Sequence, residues 1–234
     1  MEVAVTSIVR NAMGYIDRYA NQVGELARAL YENGEHDLDV YIAEGDSTDG
    51  TWEWLQGWAA RHSNPHDYGV MAIKADHGGP AFGSVDNPTR WQNIARTYNK
   101  AFHATSLHRP DVVIQVESDL IWNPETMRLL LAHLERVPAV APMSMHSRGF
   151  FWDIWGHRGM DGVHFTNLPP YHQGLVDLRP GQLMQISSAG SCIVMRGEIA
   201  GRCWFDEADA MLGKDIYAKG YSLWLDPTLS VTHP

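Results

Sequence analysis

Cysteine is nearly absent from this chain, which has only Cys192 and Cys203. Two thiols do not make a disulfide framework, so a reducing, cytoplasmic setting is expected rather than secretion. Long apolar runs are missing too. No stretch reaches the ~18 apolar residues that a membrane-spanning helix needs. The opening MEVAVTSIV carries an early acid, Glu2, and reads as a first strand, not as a leader or an anchor. Positive charge is scarce: 18 Lys and Arg stand against 28 Asp and Glu, a net charge of −10. This disfavours broad electrostatic capture of nucleic acid or anionic membrane, while leaving room for a local basic pocket. The histidines, His62 and His66 included, lack the cysteine partners or helical pairing of a structural zinc site. Repeats, low-complexity tracts and interdomain linkers are missing as well. One domain is expected over 1–234, long enough to bury a substantial core.

What the chain does have is a regular alternation of strand and helix signals. Val3–Val9, Leu38–Ala43, Val70–Lys74 and Val112–Val116 are apolar runs of strand length. Helical spacing separates and follows them at Asp17–Tyr31, Thr51–Arg61, Arg90–Ala104 and Thr126–Arg136, the first ending near Asn33-Gly34. This order predicts an α/β fold with a mostly parallel sheet flanked by helices. Asp76–Pro88, which contains HGGPAFGS and DNP, reads as a loop of the kind that lies over a ligand. After Val140 the regularity fades into a loop-rich region with FFWDIW at Phe150–Trp155, Pro169-Pro170 and Pro180-Gly181. Leu183–Met195 is expected to return to the sheet. Glu207–Lys219 is expected to be helical with Gly220 after it, and Leu223–Leu225 to be a short last strand.

In open α/β sheets ligands bind outside the carboxyl ends of the strands. Three polar clusters fall at those ends: Arg10-Asn11, the turn Glu44–Asp49 and the triplet Glu117-Ser118-Asp119. Residues i and i+2 of a strand face the same way, so Glu117 and Asp119 can reach one ligand. Like charges this close repel unless a cation lies between them. A hard divalent ion, Mn²⁺ or Mg²⁺, held by oxygen ligands beside a phosphate satisfies the pair. A strand end with solvated acids is the other reading.

The ordered set EGDSTDGT (Glu44–Thr51), Arg90 through Asn99-Lys100-Ala101, VIQVESD, SSAGSCIVMR and FDEADAMLGKDIYAKGYSLWLDPTLSVTH resembles the GT-A glycosyltransferases, close to the family 2 type. The resemblance spans nearly the whole chain. It implies a GT-A, Rossmann-like sheet with a nucleotide-sugar-binding half (1–136) and an acceptor and catalytic half (137–234). It further implies a nucleotide-sugar donor, a UDP- or GDP-hexose, with Mn²⁺ or Mg²⁺. By the same resemblance Glu44 contacts the base or ribose, and Asp46 stands beside it with a competing role in the turn. Asp119 is the surest metal ligand, assisted by Glu117 and by the late His233, and Ser118 lies between the acids. Arg10, Arg90 and Arg96 offer charge to the diphosphate, which the planar guanidinium fork suits.

An inverting enzyme needs a carboxylate base, and the family's lies before the last strand. Asp206, Glu207, Asp209 and Asp215 are available there, and Asp215 matches best, with Lys214 in place of the usual acid. Trp152, Asp153 and Arg158, with Trp155, form a candidate sugar or acceptor wall. EGDSTDGT, the Arg90 to Asn99 spacing and WDIWGHRGMDG also resemble, more loosely, the fungal capsule-associated mannosyltransferases, which implies retention and no dedicated base. A nucleotidyltransferase would want a glycine-rich, basic loop after the first strand, and Ile8-Val9-Arg10-Asn11 is not one. A carbohydrate-binding relative without activity is the remaining class, and it would tolerate loss of the acids and the histidine. The acceptor stays open among glycan, protein, small molecule and modified base.

Overall fold

The computed structural model describes residues 1–32, 37–62, 68–83 and 85–234. The expected helix end at Asn33-Gly34, His66, and Ser84 of the HGGPAFGS loop lie outside the described residues. The first half follows the alternation of the sequence: β1 (Glu2–Val9), α1 (Ile16–Glu32), β2 (Asp37–Glu44), α2 (Thr51–Arg61), β3 (Gly69–Lys74), α3 (Pro88–His108), β4 (Val112–Val116) and α4 (Pro124–His133). Two helix starts share one device. Asn87 and Asn123 each accept a hydrogen bond from the backbone N–H three residues on, and a proline occupies the next position, where no N–H is needed.

β1 pairs in parallel with β2 and β4, and β2 in parallel with β3. Alternate residues of these strands face opposite layers. Val3, Val5, Val40 and Ile114 pack with α1, α2 and α4, while Ala4, Tyr41 and Val113 pack with α3. Strands covered on both faces read as continuous apolar runs, which is why they are visible in the sequence.

The second half adds β5 (Ala139–His146), β6 (Arg158–Gly159), β7 (Met184–Ser188), β8 (Cys192–Arg196), α5 (Gly197–Ala200), α6 (Gly213–Ala218) and β9 (Leu223–His233). Among the described residues one sheet results, in the order β3-β2-β1-β4-β8-β5-β9-β7-β6. β8 runs antiparallel between β4 and β5, and β9 runs parallel to β5.

Several expectations need correcting here. Residues after Val140 continue β5, despite Pro142, because the strand lies between two hydrogen-bonded neighbours and the register shifts between Pro142 and Met143. Leu183–Met195 does return to the sheet as expected, as two strands, β7 and β8. The helix expected over Glu207–Lys219 is only Gly213–Ala218. Asp206 and Asp209 draw the N–H groups of Ala208 and Met211 into local turns, and Ala210 adopts a left-handed φ of 55°. β9 passes through Asp226-Pro227 and ends at His233, far beyond Leu225. No helix among the described residues is long and apolar enough to cross a membrane.

Candidate functional site

The strand order sets out the candidate groups along one edge of the sheet. β1, β2 and β4 end at Arg10, Gly45-Asp46 and Glu117. The antiparallel β8 starts at that edge, since Cys192 pairs with Val116. β5 and β9 end there too, with His146 beside His233. A cleft of about 610 Å³ runs along it, and Arg10, Asp46, Arg90, Glu117, Ser118, Asp119, Trp152, Asp153 and His233 all line it.

The acid triplet is held by its backbone and its serine, leaving the carboxylates to face the cleft. The Glu117 N–H donates to the Ser191 carbonyl at 2.9 Å, and Ser118 Oγ donates to the Ile8 carbonyl at 2.8 Å. Arg18 donates to the Asp119 carbonyl. Burial, with Asp119 and Asp153 adding negative charge, pushes the Glu117 carboxyl well above the usual carboxylate range, and Arg90 only partly opposes this. Asp119 Oδ2 lies 3.3 Å from His233 Nε2, while its buried Oδ1 has no hydrogen-bond partner. The hydrogen bond to Asp119 raises the His233 pKa against its partial burial. Trp152 stacks on that imidazole, ring centres 4.2 Å apart.

A divalent cation fits this chemistry. An orphaned carboxylate oxygen, a second carboxyl strained by like charge and an imidazole lie at one end of the cleft. Among the described residues no three His, Cys, Asp or Glu side chains form a ready-made ligand cluster, so Glu117, Asp119 and His233 do not close on a single point. An ion here would take the rest of its shell from water or from a ligand, as divalent ions beside phosphates commonly do.

The other candidates are divided between the cleft and its surroundings. Glu44 is 0% exposed, its carboxylate taken by Lys74 and by the Ser47 N–H, and it does not line the cleft. Asp46, in a left-handed conformation (φ 56°), accepts from the N–H groups of His77 and Gly78 and so fixes the start of the loop after β3. Arg10 donates to the carbonyls of Gly79 and Pro80 in the same loop. Arg90 lies over the Trp91 ring at 4.4 Å, facing Glu117. Arg96 instead pairs with Glu207 at 3.0 Å, and Arg158 on β6 also stays off the cleft.

Asp153 is saturated. It accepts from the N–H groups of Gly156, Gly190 and Ser191, the Ser191 hydroxyl and His157 Nδ1. Burial alone would push its carboxyl up, but these donors, His157 foremost, hold it at about 2. A Cβ on Gly156 or Gly190 would come within 2.5 and 2.9 Å of the Asp153 carboxylate, so only glycine permits this approach. Asp215 faces the Trp204 N–H at 2.9 Å and does not line the cleft.

Sequence reasoning missed four groups. His77 lines the cleft and exchanges a 2.9 Å hydrogen bond with Thr97, also at the cleft. Tyr15 lies 3.5 Å from Ser118, and Arg18 supports Asp119. Tyr15 and Arg18 stand at the start of α1, four and seven residues after Asn11 and Asn11's strand-end cluster, and that proximity was the available signal.

No protein-family model matches the chain, and no curated protein matches it in sequence. Solved structures do match in shape. S. aureus TarS residues 1–349 superposes over 99% of this chain with a TM-score of 0.58 at 14% identity, and a structure of that fragment in complex with UDP-GlcNAc does so equally. GalNAc-T7 with UDP, GalNAc and Mn²⁺ matches over 100% of the chain (TM-score 0.57, 13% identity). Glucosyl-3-phosphoglycerate synthase from Mycobacterium tuberculosis, in complex with Mn²⁺, UDP and phosphoglyceric acid, does so with a TM-score of 0.53 at 16% identity. The chain spans 60% of the TarS fragment, 44% of GalNAc-T7 and 70% of the synthase. Sheet order, cleft and these likenesses together place the chain in the GT-A fold.

Proposed function

We propose that the chain is a divalent-metal-dependent glycosyltransferase that moves a hexose from a nucleotide sugar to an acceptor hydroxyl. The observation that carries this reading is the end of β4, where Asp119, with one oxygen unpartnered, meets His233 beside Glu117 in a cleft of nucleotide-sugar size. That similar folds were solved with UDP, and two of them with Mn²⁺, supports a UDP donor ahead of a GDP one. An imidazole ligand suits Mn²⁺ better than Mg²⁺.

In this reading Asp119 and His233, with Glu117 directly or through water, would hold the ion, which would supply positive charge to the leaving diphosphate. Arg90, half-buried at the same cleft, adds fixed positive charge where negative charge develops, which stabilises the transition state more than the ground state. Asp46 and Arg10 hold the loop after β3 against the ends of β1 and β2, shaping the half assigned to the nucleoside. His77 and Thr97 supply polar edges there. Asp119's carbonyl, gripped by Arg18, keeps the acid turn from relaxing as the ligand leaves.

Inversion with Asp215 as base requires that carboxylate to reach the acceptor. Its engagement with Trp204 and its place off the cleft favour the second reading, a retaining transfer without a dedicated base. Product anomeric configuration by NMR separates the two. Asp215→Asn abolishes transfer in the first and leaves most of it in the second.

The decisive experiment is thermal denaturation with UDP, GDP and their sugars, with and without Mn²⁺. Specific binding at a hundred times Kd adds about 2.7 kcal/mol of apparent stability. A rise in Tm with UDP that needs Mn²⁺ is expected. Indifference to every nucleotide in the presence of the metal refutes the proposal.

A further inference from the structure

The cleft differs along its length in charge, and that difference bears on the acceptor. Its two guanidinium groups, Arg10 and Arg90, stand on the nucleotide side and beside Glu117. Trp152, Ile154, Trp155, Asn167, Ala210 and Met211 also line the cleft and bring no lysine or arginine, the one cationic group against them being the His233 ring on Trp152 when it is protonated. Two cationic side chains of neighbouring segments are already paired, Lys214 with Asp209 at 2.6 Å and Arg96 with Glu207. The one carboxylate in this half, Asp153, is saturated by donors from its own fold. An ionic acceptor seated on Trp155 would lose hydration and find no lysine or arginine among these six wall residues to offset it, a transfer that costs heavily.

The same wall offers indole surface. Trp155 is 54% exposed while lining the cleft, an unusual placement for the largest apolar side chain. Asp153 ties the Trp152–Gly156 turn to Gly190-Ser191, so both indoles are carried on a segment fixed before any ligand arrives. A fixed aromatic face lowers the ordering cost of binding. The C–H face of a pyranose stacks on indole, with its hydroxyls left free toward the polar cleft.

We infer that the acceptor is an uncharged pyranose, as the end of a glycan or a glycoside, seated on Trp155 beside Trp152. This inference rests on the glycosyltransferase reading above. A nucleobase could stack on the same indoles, but within nucleic acid it would bring phosphates to a wall without lysine or arginine on a chain of net charge −10.

The test uses the intact protein with Mn²⁺ and whichever nucleotide sugar raises its Tm. Neutral aryl pyranosides, sugar phosphates and single-stranded oligonucleotides are offered as acceptors, and products are followed by mass spectrometry. Transfer to neutral pyranosides is expected, with acceptor KM raised about tenfold or more by Trp155→Ala and largely restored in Trp155→Phe. Transfer only to phosphorylated sugars or to oligonucleotides overturns the inference, as does an acceptor KM unmoved by Trp155→Ala. Slow donor hydrolysis with no transfer to any pyranoside overturns it while leaving the donor reading intact. Failure of every nucleotide sugar to bind sinks both, and is distinguished by coming before any acceptor is added.

Discussion

The end of β4 and the turn after β5 lie at the same edge of the sheet and hold acids that are at least partly shielded from water, yet they treat them oppositely. In the turn, Asp153 accepts from five donor groups of its own fold and its carboxyl stays ionised well below neutral pH. At the strand end, Asp119 keeps one oxygen unpartnered and Glu117 is pushed toward its protonated form. A buried acid whose every lone pair is answered internally fastens segments together. One left unanswered costs stability, and folds retain such costs where a ligand repays them.

The comparison breaks first at Asp119. Asp119→Ala is expected to lower transfer by roughly 10³-fold, about 4 kcal/mol of transition-state stabilisation, while the melting temperature without nucleotide holds or rises. A variant that transfers at the native rate ends the distinction. Asp153→Ala should do the reverse, costing about 3 kcal/mol of stability in urea denaturation because His157 and three donors of the 190–191 turn lose their partner. If it unfolds at the native urea midpoint, Asp153 is no fastener.

The pH dependence sharpens the contrast. The Asp153 carboxyl is depressed to about 2, so its contribution is complete above the unfolded value near 3.9 and is lost as pH falls through 2, about 2 kcal/mol in all. The difference between native protein and Asp153→Asn, followed from pH 5 to pH 2.5, should shrink accordingly. The smallest effect is expected at Glu117. A raised carboxyl costs the folded state nothing at low pH and progressively more above the unfolded value, so metal-free Glu117→Gln should gain on the order of 1 kcal/mol at pH 7. That gain should vanish in acid. Equal stabilities at pH 7 would show that Glu117 is not under strain.

The first half was legible because its strands are apolar on both faces and two of its helices begin at Asn-Pro. The abrupt change from Val116 to Glu117 marked the site for the same reason: charge has no place in a buried strand unless something meets it. The second half hid itself. Pro142 and Asp226-Pro227 look like strand breakers, and the register shift that accommodates them exists only in the assembled sheet. Asp153 reads as a ligand-binding acid until its backbone donors, at positions 190 and 191, fold against it. Glu44 likewise looks available until Lys74 arrives from β3. Single acids reveal their type in a sequence, whereas saturation depends on partners far along the chain.

The indole of Trp152 lying flat on the His233 imidazole has a practical corollary. A protonated imidazole accepts an electron from excited indole and dims its emission, whereas the neutral, metal-ligated ring does so poorly. Because Asp119 favours the protonated ring, a diamagnetic ion such as Mg²⁺ that displaces that proton is expected to change Trp152 emission, and the change should be lost in Trp152→Phe. Trp152 emission would then report, with no donor, acceptor or label present, whether an ion has reached the proposed site.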